Sequence, residues 1–85
     1  MNRTDVTYGQ LDTVLRSLGF TYRLETLRTP ARVYEHKQSG ALIFLPHFPE
    51  NDRVLEYHLI MVQTTLDGFG VADPTVFAAT LQKAG

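Results

Sequence analysis

Two strand-like runs placed back to back constrain the fold of this sequence more than any other feature. The runs are Arg32–His36 and Ala41–Leu45, and they flank a turn at Ser39-Gly40. This arrangement predicts an antiparallel β-hairpin closed by Pro46-His47. Because the second run is apolar at every position and therefore on both faces, we expect it to be the best-buried strand.

A capped helix precedes the hairpin. Thr7 and Gln10 have the spacing of a capping box, in which each side chain accepts a hydrogen bond from the backbone of the other residue. Gly19 supplies the left-handed residue that commonly ends a helix. Between them, apolar residues recur with the period of one helical face: Leu11, Val14, Leu15 and Leu18. The sequence therefore predicts a helix from about Tyr8 to Leu18.

The remaining segments complete an α+β pattern. Residues 20–25 alternate between apolar and polar, which predicts a half-buried strand ended by Pro30. After the loop 46–51, the spacing of apolar residues predicts a second helix from about Arg53 to Asp67, capped by Asn51 or Asp52. Asp73-Pro74 then opens a short last helix.

The predicted fold is thus a single domain over residues 1–85 with the order α-β-β-β-α-α. A three-stranded antiparallel sheet is expected to pack on the helices. A chain of 85 residues buries roughly 60 to 65% of its unfolded surface, which is enough for one modest core. The residues expected in that core are Leu11, Leu15, Leu18, Phe20, Val33, Ile43, Leu59, Val62 and Phe77.

Composition excludes several classes of protein. The chain has no cysteine, which rules out a disulfide framework, thiolate metal ligands and a cysteine nucleophile. Its three histidines lack local ligand spacing, so we expect no metal and no cofactor. The first residues lack the apolar segment of a signal peptide, and the apolar run 41–45 is far short of the roughly 18 residues of a membrane span. We therefore expect a cytoplasmic protein with no membrane association.

Charge is balanced overall but unevenly placed. The net charge is −1, with six Lys/Arg against four Asp/Glu in residues 1–47 and two against five in residues 48–85. The first part is therefore weakly basic and the second acidic. A protein that binds nucleic acid through phosphate contacts usually carries a much larger basic excess.

The order and spacing of these motifs resemble the HicA toxins of bacterial toxin–antitoxin systems. Those proteins are small RNA-cleaving enzymes with a fold like that of double-stranded-RNA-binding domains. The likeness covers nearly the whole chain and rests on these positions: Leu15, Leu18-Gly19-Phe20, Val33-Tyr34, His36, Gly40, Pro46-His47, Leu66, Gly70-Val71, Phe77 and Leu81. The resemblance implies the same fold and an antitoxin-like protein partner.

One residue departs from the family pattern at the position that matters most. HicA toxins carry Gly-Ser-His or Gly-Thr-His ahead of the strand tyrosine, and that histidine is taken as catalytic. Counted back from Tyr34, the corresponding stretch is Thr29-Pro30-Ala31. Cleavage of RNA through its 2′-hydroxyl needs a proton acceptor, and alanine offers none. The resemblance therefore implies that this copy is catalytically inactive.

Another histidine could in principle replace the missing one. His36 lies five positions from Ala31 on one strand, and this odd separation points it to the opposite face. His47 follows the last strand and is a weak candidate for a displaced base, although a solvated loop histidine is the favoured explanation. His58 lies beside the apolar stripe of the second helix, as expected of a boundary residue with one ring nitrogen hydrogen-bonded.

Basic and aromatic residues around the first two strands are the candidates for a binding surface. The candidate binding residues are Arg23, Arg28, Arg32, Tyr34, His36 and Lys37. Arginines beside tyrosines suit RNA binding, because guanidinium groups contact phosphates while tyrosine rings stack on bases. The alternative is a solvated rim that opposes pairing of the sheet edge with another strand.

Three functions follow from these observations. The favoured one is an inactive HicA-like domain that binds a protein or, weakly, RNA through the sheet face or edge around Arg23, Arg32 and Tyr34; strand pairing at such an edge would also allow a homodimer. The second is an active toxin-type endoribonuclease that uses His47. The third is a structural or regulatory protein unconnected with toxin–antitoxin systems, because fold alone does not determine function.

Overall fold

A computed structural model describes residues 2–26 and 28–84 and has an α+β fold. The elements in chain order are β1 (Arg3–Thr7), α1 (Tyr8–Ser17), β2 (Thr21–Glu25), β3 (Ala31–His36), β4 (Ala41–Pro46), β5 (Arg53–Leu55), α2 (Glu56–Gly68) and α3 (Pro74–Ala84). The predicted helix, three strands and two helices are all present in the predicted order. Two short strands, β1 and β5, were not predicted.

Strands β2, β3 and β4 form an antiparallel sheet with β3 in the centre. Paired positions make rows across it, and one such row joins Arg23, Val33 and Phe44. The neighbouring row joins Tyr22, Tyr34 and Ile43. Since side chains alternate between faces along a strand, these two rows lie on opposite faces of the sheet.

The first helix begins as the sequence predicts. The backbone N–H of Gln10 donates to the Thr7 hydroxyl at 3.1 Å, and the Thr7 N–H donates to the Gln10 side chain at 2.8 Å. Both hydrogen bonds of the capping box are therefore formed. Gly19 has a φ of +98° just after the helix, which confirms it as the left-handed terminating residue.

The start of the second helix was predicted wrongly. Residues Arg53–Leu55 form strand β5, which pairs with β1, and α2 begins only at Glu56 with Leu55 as its cap residue. Neither Asn51 nor Asp52 occupies the cap position. The Glu56 N–H donates to the Asn2 carbonyl at 3.0 Å. Pairing with a segment some 50 residues away thus overrides the local helical pattern.

The core lies between the helices and one face of the β2–β3–β4 sheet. Its buried side chains come from α1, α2 and α3, from strands β3, β4 and β5, and from the segments just before β2 and α3. They are Tyr8, Leu11, Val14, Leu15, Phe20, Tyr34, Ala41, Ile43, Leu45, Val54, Val62, Leu66, Ala72 and Phe77. Of the predicted core residues, Leu18 and Leu59 are only partly buried at its margin. Val33 is fully buried but lies on the other face of the sheet, opposite Phe44.

The expectation that the third predicted strand is the best buried is also wrong, because β3 has no exposed residue whereas every second residue of β4 is exposed. Along β4, Ala41, Ile43 and Leu45 are buried, whereas Leu42 and Phe44 are 44% and 56% exposed. The helices cover only one face of the sheet, so the β4 residues that point away from them, Leu42, Phe44 and Pro46, remain in contact with solvent. An apolar strand therefore supplies both core and surface.

Candidate binding surface

The face of the sheet turned away from the core has a charged half and an apolar half. Arg23 on β2 lies between two carboxylates, with Nε 2.8 Å from Glu25 Oε1 and Nη1 3.5 Å from Glu35 Oε1. The hydrogen bond to Glu25 raises the pKa of Arg23. With one arginine against two glutamates, this half of the face carries no net positive charge to attract phosphate.

The apolar half of this face belongs to β4. Leu42, Phe44 and Pro46 are exposed there, and Val33 fills the adjacent position on β3. We call the surface formed by Leu42, Phe44 and Pro46 the β4 patch. Exposed apolar residues are common one at a time, but three at alternate positions of one strand form a continuous stripe.

The β4 patch borders an open edge of the sheet. In an antiparallel ladder, hydrogen-bonded pairs alternate with non-hydrogen-bonded pairs. The His47 N–H donates to the Pro30 carbonyl, and continuing this alternation makes Leu45, Ile43 and Ala41 the β4 residues bonded to β3. The backbone groups of Leu42 and Phe44 must therefore point away from β3. None of the hydrogen bonds within residues 2–26 and 28–84 uses them.

Two of the predicted binding residues are buried on the opposite face of the sheet. Tyr34 is 1% exposed, and its hydroxyl donates to Asp12 Oδ1 on α1 at 2.7 Å. Arg32 is 4% exposed and donates through Nη2 to the Phe48 carbonyl at 3.1 Å. Burial raises the pKa of the Tyr34 hydroxyl above its ordinary value. These two residues therefore lie away from the surface that was expected to include them with Arg23.

Cation–π contacts lie beside the buried Arg32 and Tyr34 side chains. The guanidinium of Arg16 lies 5.1 Å from the centre of the Tyr22 ring, and that of Arg32 lies 5.9 Å from it. Arg16 also forms an ion pair of 3.0 Å with Asp12. The aromatic and basic side chains of this region thus contact one another, which accounts for the sequence pattern that suggests RNA stacking.

The other predicted binding residues are dispersed. Arg28 and Lys37 are exposed in the turns on either side of β3, and the structure does not bring them together with Arg23. His36 is partly buried on the core face, where its Nδ1 lies 2.8 Å from the Ser39 hydroxyl and its ring packs 5.1 Å from Phe20. The predicted basic surface is therefore divided between turns and two faces.

Ala31 occupies the outer face, opposite Pro46 and Glu25. His36 pairs with Ala41 on the core face, so the prediction that it lies on the face opposite Ala31 is confirmed. His47 is exposed just beyond β4, with its backbone paired to Pro30 next to Ala31. Among the described residues, no three histidine, aspartate or glutamate side chains are grouped so that they could hold a metal ion.

A second buried polar contact was only partly predicted. His58 is 6% exposed, its Nδ1 lies 3.0 Å from the Tyr8 hydroxyl, and burial lowers its pKa. The Tyr8 ring stacks on Phe48 with centroids 4.9 Å apart. The apolar pattern predicted a boundary histidine with one bonded nitrogen at position 58, but its partner 50 residues away left no local signal.

Comparison with known proteins leaves the family open. No protein-family model, curated protein or solved structure matches this chain. Within the described residues, no helix is long and apolar enough to cross a membrane. The exposed apolar side chains of the β4 patch lie beside an open strand edge, and neither the core nor the helix caps explain them.

Proposed function

We propose that this chain is a catalytically inactive, HicA-like binding module whose β4 patch binds a protein. The observation that supports it most directly is the exposure of Leu42 and Phe44 beside an unpaired strand edge. Free backbone groups on such an edge can accept another strand, while the flanking apolar side chains give the contact its stability.

The distribution of charge favours a protein partner over RNA. Arg23 is held by Glu25 and Glu35, and Arg32 is buried, so the two strand arginines are not free to contact phosphates. Arg28 and Lys37 stand apart on separate turns. Binding to RNA without a joined basic surface would be weak, because phosphate contacts supply most of the affinity.

The absence of catalysis is supported by Ala31 at the position where HicA toxins carry a histidine. The competing function, an endoribonuclease that uses His47, is favoured by one observation: His47 is exposed and its backbone pairs with Pro30, next to Ala31. A displaced base at that place would lie one residue beyond Pro46, which is the partner of Ala31 across the hairpin. We rank this function second because no second histidine of the hairpin is free to assist His47. His36, the other histidine on this hairpin, is bonded to Ser39 on the core face.

The experiment is an RNA assay with two readouts. Purified protein is incubated with a structured RNA and scored for cleavage, and the same RNA is titrated at about 50 mM and about 200 mM salt. We expect no cleavage and a dissociation constant above about 10 µM with a shallow salt dependence. His47→Ala is the matched variant and should change neither readout.

Two results would contradict the proposal. Cleavage that disappears in His47→Ala, with the fold retained by circular dichroism, would establish the endoribonuclease instead. Binding at or below about 1 µM that weakens steeply with salt would show that several phosphates are neutralised, and the protein partner would then be abandoned.

A further inference from the structure

We propose that the partner of the β4 patch is a second copy of this chain, bound through antiparallel pairing of the two β4 strands around a two-fold axis. The pairing joins the two β2–β3–β4 sheets into one continuous sheet. This inference rests on the proposed function, since it identifies the protein that the patch binds.

Backbone geometry permits this pairing. The N–H and C=O groups of Leu42 and Phe44 point away from β3 and are not used by the described hydrogen bonds. With Phe44 opposite Phe44 of the second copy, each Phe44 N–H donates to the other's carbonyl. Each Leu42 N–H then donates to the carbonyl of Pro46 in the other copy. Pro46 has no N–H to leave unpaired, so every free donor on this edge is used.

The side chains match in the same register. Residues directly opposite across an antiparallel pair lie on one face, so Phe44 meets Phe44 of the second copy and Leu42 meets Pro46. On the core face, Ile43 lies opposite Leu45 of the second copy. The exposed stripe of one molecule thus continues into that of the other, which covers the side chains that the helices leave uncovered.

Charge also favours a copy of the same chain. Residues 38–46 contain no charged side chain, so a two-fold axis through β4 brings no like charges together. The other free edge of the sheet is different, because β2 carries Arg23 and Glu25. Charged edges hold water and oppose strand pairing. The edge that lacks this protection is therefore the one expected to meet itself.

The size of the contact sets the expected affinity. One strand and three exposed side chains per copy cover far less than the roughly 800 Å² per partner of a standard stable interface. We therefore expect a weak dimer with a dissociation constant above about 1 µM, which is monomeric when dilute.

The first test measures mass against concentration. Sedimentation equilibrium of the full chain from about 10 µM to about 1 mM should show a monomer–dimer equilibrium, consistent with a weak interface. Phe44→Lys places like charges opposite each other across the axis and should raise the dissociation constant at least about tenfold. The matched control is Ile60→Lys on α2, where the native side chain is 55% exposed, and it should leave the equilibrium unchanged.

The second test reports the register. The chain has no cysteine, so Phe44→Cys introduces a single thiol. Opposed Cα atoms in a hydrogen-bonded antiparallel pair lie about 5.5 Å apart, within the range of a disulfide. Mild oxidation at high concentration should therefore yield a covalent dimer. Ile60→Cys under the same conditions should remain mostly monomeric.

A wild-type protein that stays monomeric at about 1 mM would overturn the dimer, as would a dimer that Phe44→Lys leaves intact, since a weak strand-edge contact cannot survive that change. Neither result would disturb the RNA assay. Conversely, tight and salt-sensitive RNA binding overturns the proposed function whatever the oligomeric state, so the two failures are distinguishable.

Discussion

The Tyr8 hydroxyl and Nδ1 of His58 are hydrogen-bonded at 3.0 Å and join the first residue of α1 to the first turn of α2. Burial lowers the pKa of His58, because desolvation penalises the charged imidazolium. The native state therefore holds His58 neutral under conditions in which the unfolded chain has begun to take up a proton.

We expect this contact to make the free energy of unfolding depend on pH. An unfolded histidine titrates near its ordinary pKa of about 6.5, and the native one titrates below that value. The stabilisation is therefore fully present above about pH 6.5 and falls as the pH is lowered through it, because the unfolded state binds more protons. Urea denaturation at pH 8 and pH 5.5 should show the lower midpoint at pH 5.5.

His58→Gln removes the titrating group while keeping a polar side chain, so the loss of stability between pH 8 and pH 5.5 should shrink. His47→Gln, at an exposed position, should retain the full loss. If the two variants lose stability equally over this range, His58 is not the group responsible.

Tyr34→Phe should destabilise the protein by about 1–3 kcal/mol, because it removes the hydroxyl that bonds to Asp12 and leaves a half-buried carboxylate without that donor. Tyr22→Phe is the control: its ring keeps both arginine contacts, and the change should cost less than about 0.5 kcal/mol. Urea unfolding curves compare the two. Equal costs would show that the Tyr34 hydroxyl contributes nothing specific.

Gly19→Ala should cost more stability than Gly40→Ala. Both glycines have positive φ, +98° and +81°, where an L side chain is strained by about 1–2 kcal/mol. A Cβ at Gly19 would also lie 3.3 Å from His36 Nε2, whereas none of the described atoms lies within 4 Å at Gly40. The extra loss of stability in Gly19→Ala measures this contact with His36. Thermal melts of both variants provide the comparison, and equal losses would show that the contact costs nothing.

Leu66→Ala should cost about 2–5 kcal/mol, because Leu66 is fully buried between α2 and the rest of the core. Ile60→Ala, on the exposed side of the same helix, should cost less than about 1 kcal/mol. Chemical denaturation of both proteins provides the comparison. A small cost for Leu66→Ala would contradict the packing of α2 against the core.

Local signals account for what the sequence predicted well. The capping box, the apolar period and Gly19 all lie within a dozen residues of one another, and together they gave the start and end of α1 to within a residue. The three central strands and their turn followed from the same kind of short-range pattern. No part of this information depends on distant contacts.

The misses have a different cause. Every residue of Ala41–Leu45 is apolar, so the sequence carries no alternation to say which side chains meet the helices. Val33 and Ile43 were both expected in one core, yet they lie on opposite faces of the sheet. Val33 pairs with Phe44 on the outer face and Ile43 pairs with Tyr34 on the core face, so the expected register is off by one residue. Arg32 lies on the core face because Tyr34, two positions along, points to Asp12. Likewise, β5 forms because β1 is available to pair with it.

The pairing of β1 with β5 also bears on the order in which the chain folds. Arg3 lies opposite Leu55, whereas the turns of the β2–β3–β4 sheet span only a few residues. Closing the long loop costs more chain entropy, and non-local contacts form slowly for that reason. We expect the central sheet to gain amide protection first in pulse-labelled refolding, with β1 and β5 protected last. The β1–β5 pair would then form after the transition state for folding. Truncation of β1 would therefore speed unfolding more than it slows refolding.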